Sequence, residues 1–284
     1  MEKVLILIDS QNFRPQLLDF AASMVNGHGK TKITGVFLSG NPLAAAPGIR
    51  SVGGQIFVEE ITMTEEEINQ RKRDVEHSIA LFKDACLQRE LVAAVHNEDG
   101  NPLENIIKES RFADLIITDP SITFSGEKTI PSRFIKELLA KTECPVLIAP
   151  EYFDQVDEIV FAYDGSKSSV FAIKQFFYLM PSFADKKMVI LHVVEPGKSQ
   201  EEDPMRDTLF EEWLKMKCSR YSTVTIAGDS RDGLFNYFMD HSGDNNKLLI
   251  TGAYGRGILS SFFRPSTADL VLKAIDIPVF ISHL

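Results

Sequence analysis

The residues best suited to chemistry lie in one glycine-containing stretch near the C-terminus. The apolar run Leu248–Thr251 ends at Gly252, and Gly255 follows three residues later. Ser266 and Thr267 then directly precede an apolar-periodic run. This order predicts a strand, a glycine loop and a helix with a Ser/Thr cap. Glycines let a backbone approach a ligand closely, and the free N–H groups of a helix start can hold an anion such as phosphate.

A second interpretation of this stretch stays open, because short glycine motifs also occur in ordinary connections between strands and helices. In that case Gly252 and Gly255 would only permit turns. Arg256, which follows Gly255 in the loop, would add positive charge if the loop holds an anion.

The sequence contains no other catalytic or metal-binding signature. Its six histidines show no HExxH or other paired ligand spacing, which argues against a metal site. No GxSxG, P-loop or kinase motif occurs. Ser166 and Ser168 fit the cap of a following helix better than a nucleophile, and His192 fits a hydrogen-bonded core histidine better than a base. The pattern favours a binding or signalling protein over an enzyme, with no catalytic residue predicted.

The overall composition argues against several classes of partner. The chain has 284 residues and a formal net charge of −10, whereas broad binding of nucleic acid or anionic membranes needs basic patches. No apolar run reaches the roughly 18–20 residues that span a bilayer. The N-terminal residues lack a signal-peptide pattern, and three isolated cysteines suit a reducing compartment. We expect a cytoplasmic protein that binds neither nucleic acid nor membranes.

Short apolar strands alternate with helices along the chain. The first half predicts strands at Lys3–Ile8, Lys32–Leu38, Val92–His96, Ala113–Thr118 and Pro145–Ala149, and helices at Pro15–Val25, from Thr64 onward, at Asn101–Ser110 and at Pro131–Lys141. The second half predicts strands at Glu158–Tyr163, Lys187–Val194, Ser222–Ala227, Lys247–Thr251 and Pro278–Ser282, and helices at Ser168–Met180, Met205–Lys217, Arg231–His241 and Ser266–Ile275. Asn41–Gly54 has no clear period and is predicted to be an irregular loop.

The two halves form an internal repeat. Asp119 follows the run LIIT and lies 26 residues before Pro145, whereas Gly252 follows LLIT and lies 26 residues before Pro278. Strands that alternate with helices and are apolar throughout predict parallel sheets covered by helices on both faces. We therefore predict two α/β domains, residues 1–150 and 151–284, each with an open, twisted, parallel five-stranded sheet of the Rossmann type.

In open α/β sheets, ligands bind beyond the carboxyl ends of the strands, where the strand order reverses. In the second half these ends carry Asp164, Val193 and Gly252. The glycine loop therefore belongs to an edge of the sheet where a ligand is expected.

These residues and their order resemble the universal stress protein family. The resemblance rests on Asp164-Gly165-Ser166 after one strand, Leu191–Val194 at the end of the next, the glycine loop with Ser266-Thr267, and the closing strand Ile277–Ile281. It covers both halves, the first by pattern only. It implies a tandem protein of Rossmann-like, adenine nucleotide alpha hydrolase-like fold, whose two final strands pair about a pseudo-twofold axis as in the family's homodimers.

In the ATP-binding branch of that family, the first two strands hold adenine and ribose while the glycine loop wraps the phosphates. The resemblance therefore implies ATP or a related adenine nucleotide as the ligand, with magnesium only if it accompanies ATP. Carried over by position, and with Arg256 added for its charge, the nucleotide-binding residues are Ala162, Asp164, Val193, Gly252, Gly255, Arg256, Ser266 and Thr267.

The chain departs from the family pattern in both halves. Pro265 replaces a loop glycine in the second half, which removes an N–H and fixes φ near about −65°. In the first half Asp9 is kept, but Asp119 and Ile122 replace the two loop glycines, and Ser132 stands near the expected cap. A carboxylate at the phosphate position would repel an anion. We expect nucleotide in the second half and a structural or pairing role for the first.

The resemblance implies a role in stress response or adaptation through nucleotide binding. Two alternatives stay open: an interaction module that binds no nucleotide and acts as an internal pseudo-dimer, and a weak ATPase. The expected partners are an adenine nucleotide and the other half of the chain, and a homodimer is an open expectation.

Overall fold

Twelve strands and seven α-helices make up the part of the chain that the computed structural model describes. The described residues are 1–10, 13–25, 31–38, 48–52, 55–59, 64–96, 101–123, 130–194, 204–228, 230–240, 246–252 and 276–282. The strands are β1 (Lys3–Asp9), β2 (Lys32–Leu38), β3 (Gly48–Val52), β4 (Gln55–Glu59), β5 (Val92–His96), β6 (Leu115–Thr118), β7 (Val146–Ile148), β8 (Glu158–Ala162), β9 (Lys187–Val194), β10 (Tyr221–Ala227), β11 (Lys247–Gly252) and β12 (Val279–Ser282). The helices are α1 (Gln16–Val25), α2 (Glu65–Gln88), α3 (Pro102–Ser110), α4 (Arg133–Lys141), α5 (Lys167–Leu179), α6 (Thr208–Lys215) and α7 (Ser230–Asp240).

Ten of these strands form one continuous sheet in the order β10-β9-β8-β11-β12-β7-β6-β1-β2-β5. The five strands of each half run parallel to one another. β12 pairs antiparallel with β7, with Phe280 opposite Leu147. The predicted parallel sheets and the predicted pairing of the two final strands are therefore confirmed. The division of the chain at residue 150 stays a prediction.

Each half has one point at which the strand order reverses. In the second half the chain runs from β8 through β9 to β10 on one side, and then crosses to β11 and β12 on the other. The first half repeats this order with β1, β2 and β5 on one side of the reversal and β6 and β7 on the other. The carboxyl ends of β8 and β11, and of β1 and β6, are thus the places where a crevice for a ligand is expected.

The sheet buries both of its faces, because alternate side chains of an apolar strand point to opposite sides. In β1, Val4 and Ile6 belong to a core that also contains residues of α1, α2 and α5. Leu5 and Leu7 belong to a second core, formed with α3, α4 and α7. Both cores include residues of β7 and β12. Each core therefore continues across the junction between the two halves.

The prediction of an irregular loop at Asn41–Gly54 was wrong for residues 48–52. This segment is β3, which pairs antiparallel with β4 so that Val52 lies opposite Gln55. Gly53 and Gly54 separate these two residues in the sequence. Two apolar runs separated by a Gly-Gly pair are a recognised hairpin signal, which could have identified β3 and β4.

Helix starts agree well with the sequence because their signals are local. Thr64 and Glu67 form a capping box at the start of the helix predicted from Thr64 onward: Thr64 Oγ1 accepts the Glu67 N–H at 3.2 Å, and Glu67 Oε2 accepts the Thr64 N–H at 2.8 Å. Asn101 Oδ1 accepts the N–H of Leu103 at 3.1 Å and caps α3, at the start of the helix predicted at Asn101–Ser110. The predicted helix Ser266–Ile275 lies outside the described residues. Within the described ranges, no helix is long and apolar enough to cross a bilayer.

Candidate functional site

The carboxyl ends of β9, β8 and β11 lie side by side in the sheet. Ala162 is the last residue of β8, Val193 is the last but one of β9, and Gly252 is the last of β11. Asp164 follows β8 by two residues and is exposed. The structure thus brings these four predicted site residues to one edge of the sheet. The other predicted residues of the loop lie outside the described residues: Gly255, Arg256, Pro265, Ser266 and Thr267.

Asp164 is held in a turn that leads into α5. Its Oδ1 accepts a hydrogen bond from the backbone N–H of Ser166 at 2.9 Å. Ser166 is the predicted helix cap, and its Oγ accepts the N–H of Ser169 at 3.1 Å. Partial burial raises the pKa of the Asp164 carboxyl, but hydrogen bonds from Ser166 and Ser169 outweigh it and hold that pKa below its ordinary value. Asp164 is therefore a carboxylate at neutral pH and can accept hydrogen bonds from hydroxyl or amino groups.

Gly252 has a packing role that does not depend on a ligand. A Cβ on this residue would lie 2.6 Å from the carbonyl carbon of Ser168, and 2.7 Å from both the Ser168 oxygen and the Ser169 nitrogen. These are backbone atoms of the first turn of α5, which cannot move aside as a flexible side chain does. Glycine at this position lets the end of β11 touch the start of α5. This contact fixes the helix start beside the Asp164 turn.

A segment that leads into α6 covers the same turn. Gly165 has a φ of +74°, and a Cβ on it would lie 2.6 Å from Cβ of Pro204. Directly before the turn, the buried ring of Tyr163 stacks on Phe210 of α6, with centroids 4.0 Å apart and planes 9° apart. Sequence reasoning missed these contacts because the partners are far apart along the chain. They make α6 a wall of the candidate site.

The end of β9 is held by a buried histidine and by α7. His192 Nδ1 lies 2.8 Å from the carbonyl oxygen of Tyr163, so Nδ1 donates its proton to that oxygen. His192 is therefore the hydrogen-bonded core histidine that the sequence predicted. Val193 packs on Gly233 of α7, where an added Cβ would lie 2.8 Å from Val193 Cγ1. Val193 is only half-buried, which leaves apolar surface at the edge of the sheet.

In the first half, the residue equivalent to Gly252 is Asp119, and it forms an ion pair. Asp119 follows β6 as Gly252 ends β11, and its carboxylate binds the guanidinium of Arg14. Asp119 is 6% exposed, and its Oδ1 also accepts the N–H of Ser121 at 2.7 Å. The charge that would repel a phosphate is therefore neutralised from within the chain.

The residue at the second loop-glycine position of the first half, Ile122, also contacts other residues of the chain. Ile122 stands where the second half has Gly255, and its side chain is buried. Its carbonyl oxygen accepts a hydrogen bond from the hydroxyl of Ser132, and Ser132 Oγ in turn accepts the N–H of Ile135 at 3.2 Å as the cap of α4. Side chains of the chain itself thus occupy the edge of the first half that corresponds to the candidate site.

Replacement of Arg14 by glutamine is expected to lower the free energy of unfolding by about 1–3 kcal/mol, because it leaves the buried Asp119 carboxylate without its cation. Urea denaturation would measure the change. Arg111→Gln is the matched control, since Arg111 pairs with Glu143 where both side chains are well exposed, and such pairs are worth about 0–1 kcal/mol. Equal small losses in the two variants would contradict a structural role for the Arg14–Asp119 pair.

A metal centre is not evident in the described part of the chain. No group of three or more His, Cys, Asp or Glu residues there is arranged to hold an ion. The candidate site instead offers the hydrogen-bond acceptors of Asp164, the apolar surface of Val193 and the backbone of Gly252.

Comparison with known proteins places this geometry in context. The chain is 23% identical to Universal stress protein Slr1230 of Synechocystis sp. over 298 aligned positions, which cover 98% of this chain and 99% of that protein. Its fold is similar to that of a universal stress protein from Archaeoglobus fulgidus, with a TM-score of 0.63, 16% identity and 98% of each chain covered. A putative universal stress protein from Pseudomonas aeruginosa matches with a TM-score of 0.55 and 12% identity, over 100% of this chain and 93% of that one. No protein-family model matches the chain.

Proposed function

We propose that this chain, which is similar over nearly its whole length to universal stress proteins, is a tandem member of that family and binds an adenine nucleotide at the carboxyl edge of its second half. One observation carries the proposal: three adjacent strands present Asp164, Val193 and Gly252 together where the strand order reverses. The nucleotide-linked function is stress response or adaptation. The nucleotide-binding domain comprises residues 151–284.

The described residues suit the nucleoside part of the ligand. The ionised Asp164 carboxylate can accept hydrogen bonds from ribose hydroxyls or an adenine amino group. Half-buried Val193 can pack on the base. Ala162, the last residue of β8, is a further proposed contact. The phosphates would extend toward the loop that follows Gly252, where Gly255, Arg256, Ser266 and Thr267 are the proposed contacts. Magnesium would accompany ATP and is not needed for AMP.

The first domain, residues 1–150, takes a structural and pairing role in this proposal. Its edge carries Asp119 and Ile122 in place of the loop glycines. Arg14 binds the Asp119 carboxylate, and the Ser132 hydroxyl donates a hydrogen bond to the carbonyl oxygen of Ile122. Its final strand β7 supplies the antiparallel partner of β12. One nucleotide per chain is therefore the proposed stoichiometry.

Isothermal titration calorimetry of the full chain with ATP, ADP and AMP tests the proposal. We expect wild type to bind at least one of them, and Asp164→Asn to weaken binding about tenfold or more, since a hydrogen bond to a charged group contributes about 1.5–3 kcal/mol. Asp9→Asn is the matched control, because Asp9 ends β1 in the first half as Asp164 follows β8. This control is expected to bind like wild type.

Absence of binding by wild type at millimolar nucleotide would overturn the proposal and favour the interaction module. Equal losses in Asp164→Asn and Asp9→Asn would place the site elsewhere. A phosphate-release assay with ATP and magnesium separates binding from weak hydrolysis, and binding without turnover is the expected result.

A further inference from the structure

The outer edge of β10 has no strand partner in the described part of the chain. β10 is the last strand of the ten-stranded sheet on the side of the second half, and among the described strands it pairs with β9 alone. The N–H of Gly228, directly after β10, donates to the carbonyl oxygen of Val194 in β9 at 3.0 Å. Neighbouring residues of a strand direct their N–H and C=O groups to opposite sides. The backbone groups that point away from β9 therefore belong to Tyr221, Thr223, Thr225 and Ala227.

This edge lacks the features that usually protect an exposed strand. Proteins blunt such edges with charged residues, proline, bulges or short strands. β10 is seven residues long, its sequence YSTVTIA contains neither a charge nor a proline, and its register with β9 runs without interruption. Four of the seven residues are β-branched, a composition typical of paired strands. β10 is therefore suited to pair with a further strand.

The outermost strand of the first half, β5, is less suited to such pairing. It has five residues, two of which are the alanines Ala93 and Ala94, and alanine is depleted in strands. Its last residue, His96, also contacts Glu109 of α3, with His96 Nδ1 and Glu109 Oε1 2.7 Å apart. A strand from another molecule is therefore expected at β10 rather than at β5.

A second copy of the same strand fits the outer edge of β10. Antiparallel pairing about a twofold axis at Val224 places Tyr221 opposite Ala227 of the other copy, and Thr223 opposite Thr225. All the residues whose backbone groups face outward then pair with one another, so that their N–H and C=O groups form a continuous ladder. An axis at any other residue of β10 would shorten this ladder. An axis between two residues would set outward-facing groups against residues that face β9.

The side chains also match in this register. Thr223 and Thr225 are exposed, and they would form cross-strand pairs on one face of the sheet. On the other face Val224, which is half-buried in the single chain, would lie against its own copy and lose further exposed surface. No charged residue of β10 meets a like charge, although the whole chain carries a formal net charge of −10. The uncharged strand is thus a place where two acidic molecules can meet.

We propose that β10 is a dimerisation edge, at which two copies of the chain pair antiparallel about Val224 and join their sheets. The junction between the two halves already uses this arrangement, because the antiparallel pair of β7 and β12 joins two sets of five parallel strands. The proposal does not rest on the proposed nucleotide site.

Sedimentation of the full chain at increasing concentration measures the dimer. We expect an equilibrium between monomer and dimer with a dissociation constant of about 1 mM or tighter, since pairing through one strand edge gives a small interface. A chain that stays monomeric at about 1 mM would overturn the proposal.

Charged substitutions test the register. Thr223→Lys combined with Thr225→Lys places lysine opposite lysine in each cross-strand pair, and is expected to weaken dimerisation about tenfold or more. This variant also changes the formal net charge from −10 to −8, so that overall repulsion between the molecules falls rather than rises. The matched control, Thr223→Lys combined with Thr225→Glu, places lysine opposite glutamate and is expected to dimerise at least as well as wild type. Equal dimerisation of the two variants would overturn the assignment.

A single cysteine locates the axis. Directly opposite residues of a non-hydrogen-bonded pair have Cα atoms about 4.5 Å apart, which a disulfide can bridge. Val224→Cys is therefore expected to give a disulfide-linked dimer when oxidised glutathione is added, as seen by non-reducing gel electrophoresis. Thr223→Cys is the control, because its two copies would lie diagonally, about 7–8 Å apart. Wild type is expected to stay unlinked, since its three cysteines are buried. Linkage of both variants alike, or of neither, would overturn the proposal.

Discussion

Replacement of Gly252 by alanine is expected to lower the free energy of unfolding by about 1–3 kcal/mol, although alanine ordinarily makes a chain more stable. The added Cβ would lie 2.6–2.7 Å from backbone atoms of Ser168 and Ser169, well inside any van der Waals contact. Reduced entropy of the unfolded chain would recover only about 0.4–1 kcal/mol. The steric clash is therefore expected to outweigh the gain from the reduced entropy of the unfolded chain.

The same substitution is expected to weaken nucleotide binding. Relief of the clash requires β11 and the start of α5 to separate, and the Asp164 turn leads directly into that helix. Urea denaturation and calorimetry with the nucleotide would measure both losses on one variant. A substitution that weakened binding without any loss of stability would show that Gly252 acts through the ligand alone.

Gly233→Ala is the matched control for the loss of stability in Gly252→Ala. A Cβ on Gly233 would also come within 2.8 Å of another atom, but that atom is Cγ1 of Val193, on a side chain that can shift. Alanine gains about 1 kcal/mol of helix propensity over glycine in a helix interior such as α7. The net change is expected to lie within about 1 kcal/mol of zero. Equal destabilisation by the two substitutions would contradict the special role of backbone contact at Gly252.

Replacement of Phe280 by alanine is expected to lower the free energy of unfolding by about 3–5 kcal/mol. Phe280 is fully buried in β12, pairs across the junction with Leu147 of β7, and packs edge-on against Phe176 with centroids 5.9 Å apart. The substitution leaves a cavity where the two halves meet, and neighbouring strands restrict how far it can collapse. Urea denaturation followed by circular dichroism would measure the loss.

Phe112→Ala removes the same side chain from a position that is 77% exposed, and serves as the control. Its effect is expected to stay within about 0.5 kcal/mol, as for other surface substitutions. The difference between the two variants isolates the contribution of burial at the junction. A loss below about 1 kcal/mol in Phe280→Ala would contradict a shared core across β7 and β12.

The architecture could be predicted from the sequence because its signals are local or repeated. Apolar runs such as Leu115–Thr118 and Leu248–Thr251 identify buried strands, and their equal distances to Pro145 and Pro278 reveal the repeat. The caps at Thr64 and Asn101 depend on residues two or three positions away. The β3–β4 hairpin was missed although Gly53-Gly54 indicated it, because the surrounding stretch has no clear period.

Part of the candidate site could likewise be predicted from the sequence, and part could not. The positions of Asp164 and Gly252 follow from strand ends, which the sequence determines by itself through periodicity and turn residues. The sequence also shows that the first half has lost its loop glycines. Only the tertiary structure shows that Arg14 neutralises Asp119, that Tyr163 stacks on Phe210, and that Gly252 touches α5. These contacts join residues that lie far apart along the chain. The apolar pattern of the sequence is compatible with many different pairings of such side chains. The pattern decides which faces are buried, whereas the packing of helices on the sheet decides which side chains meet.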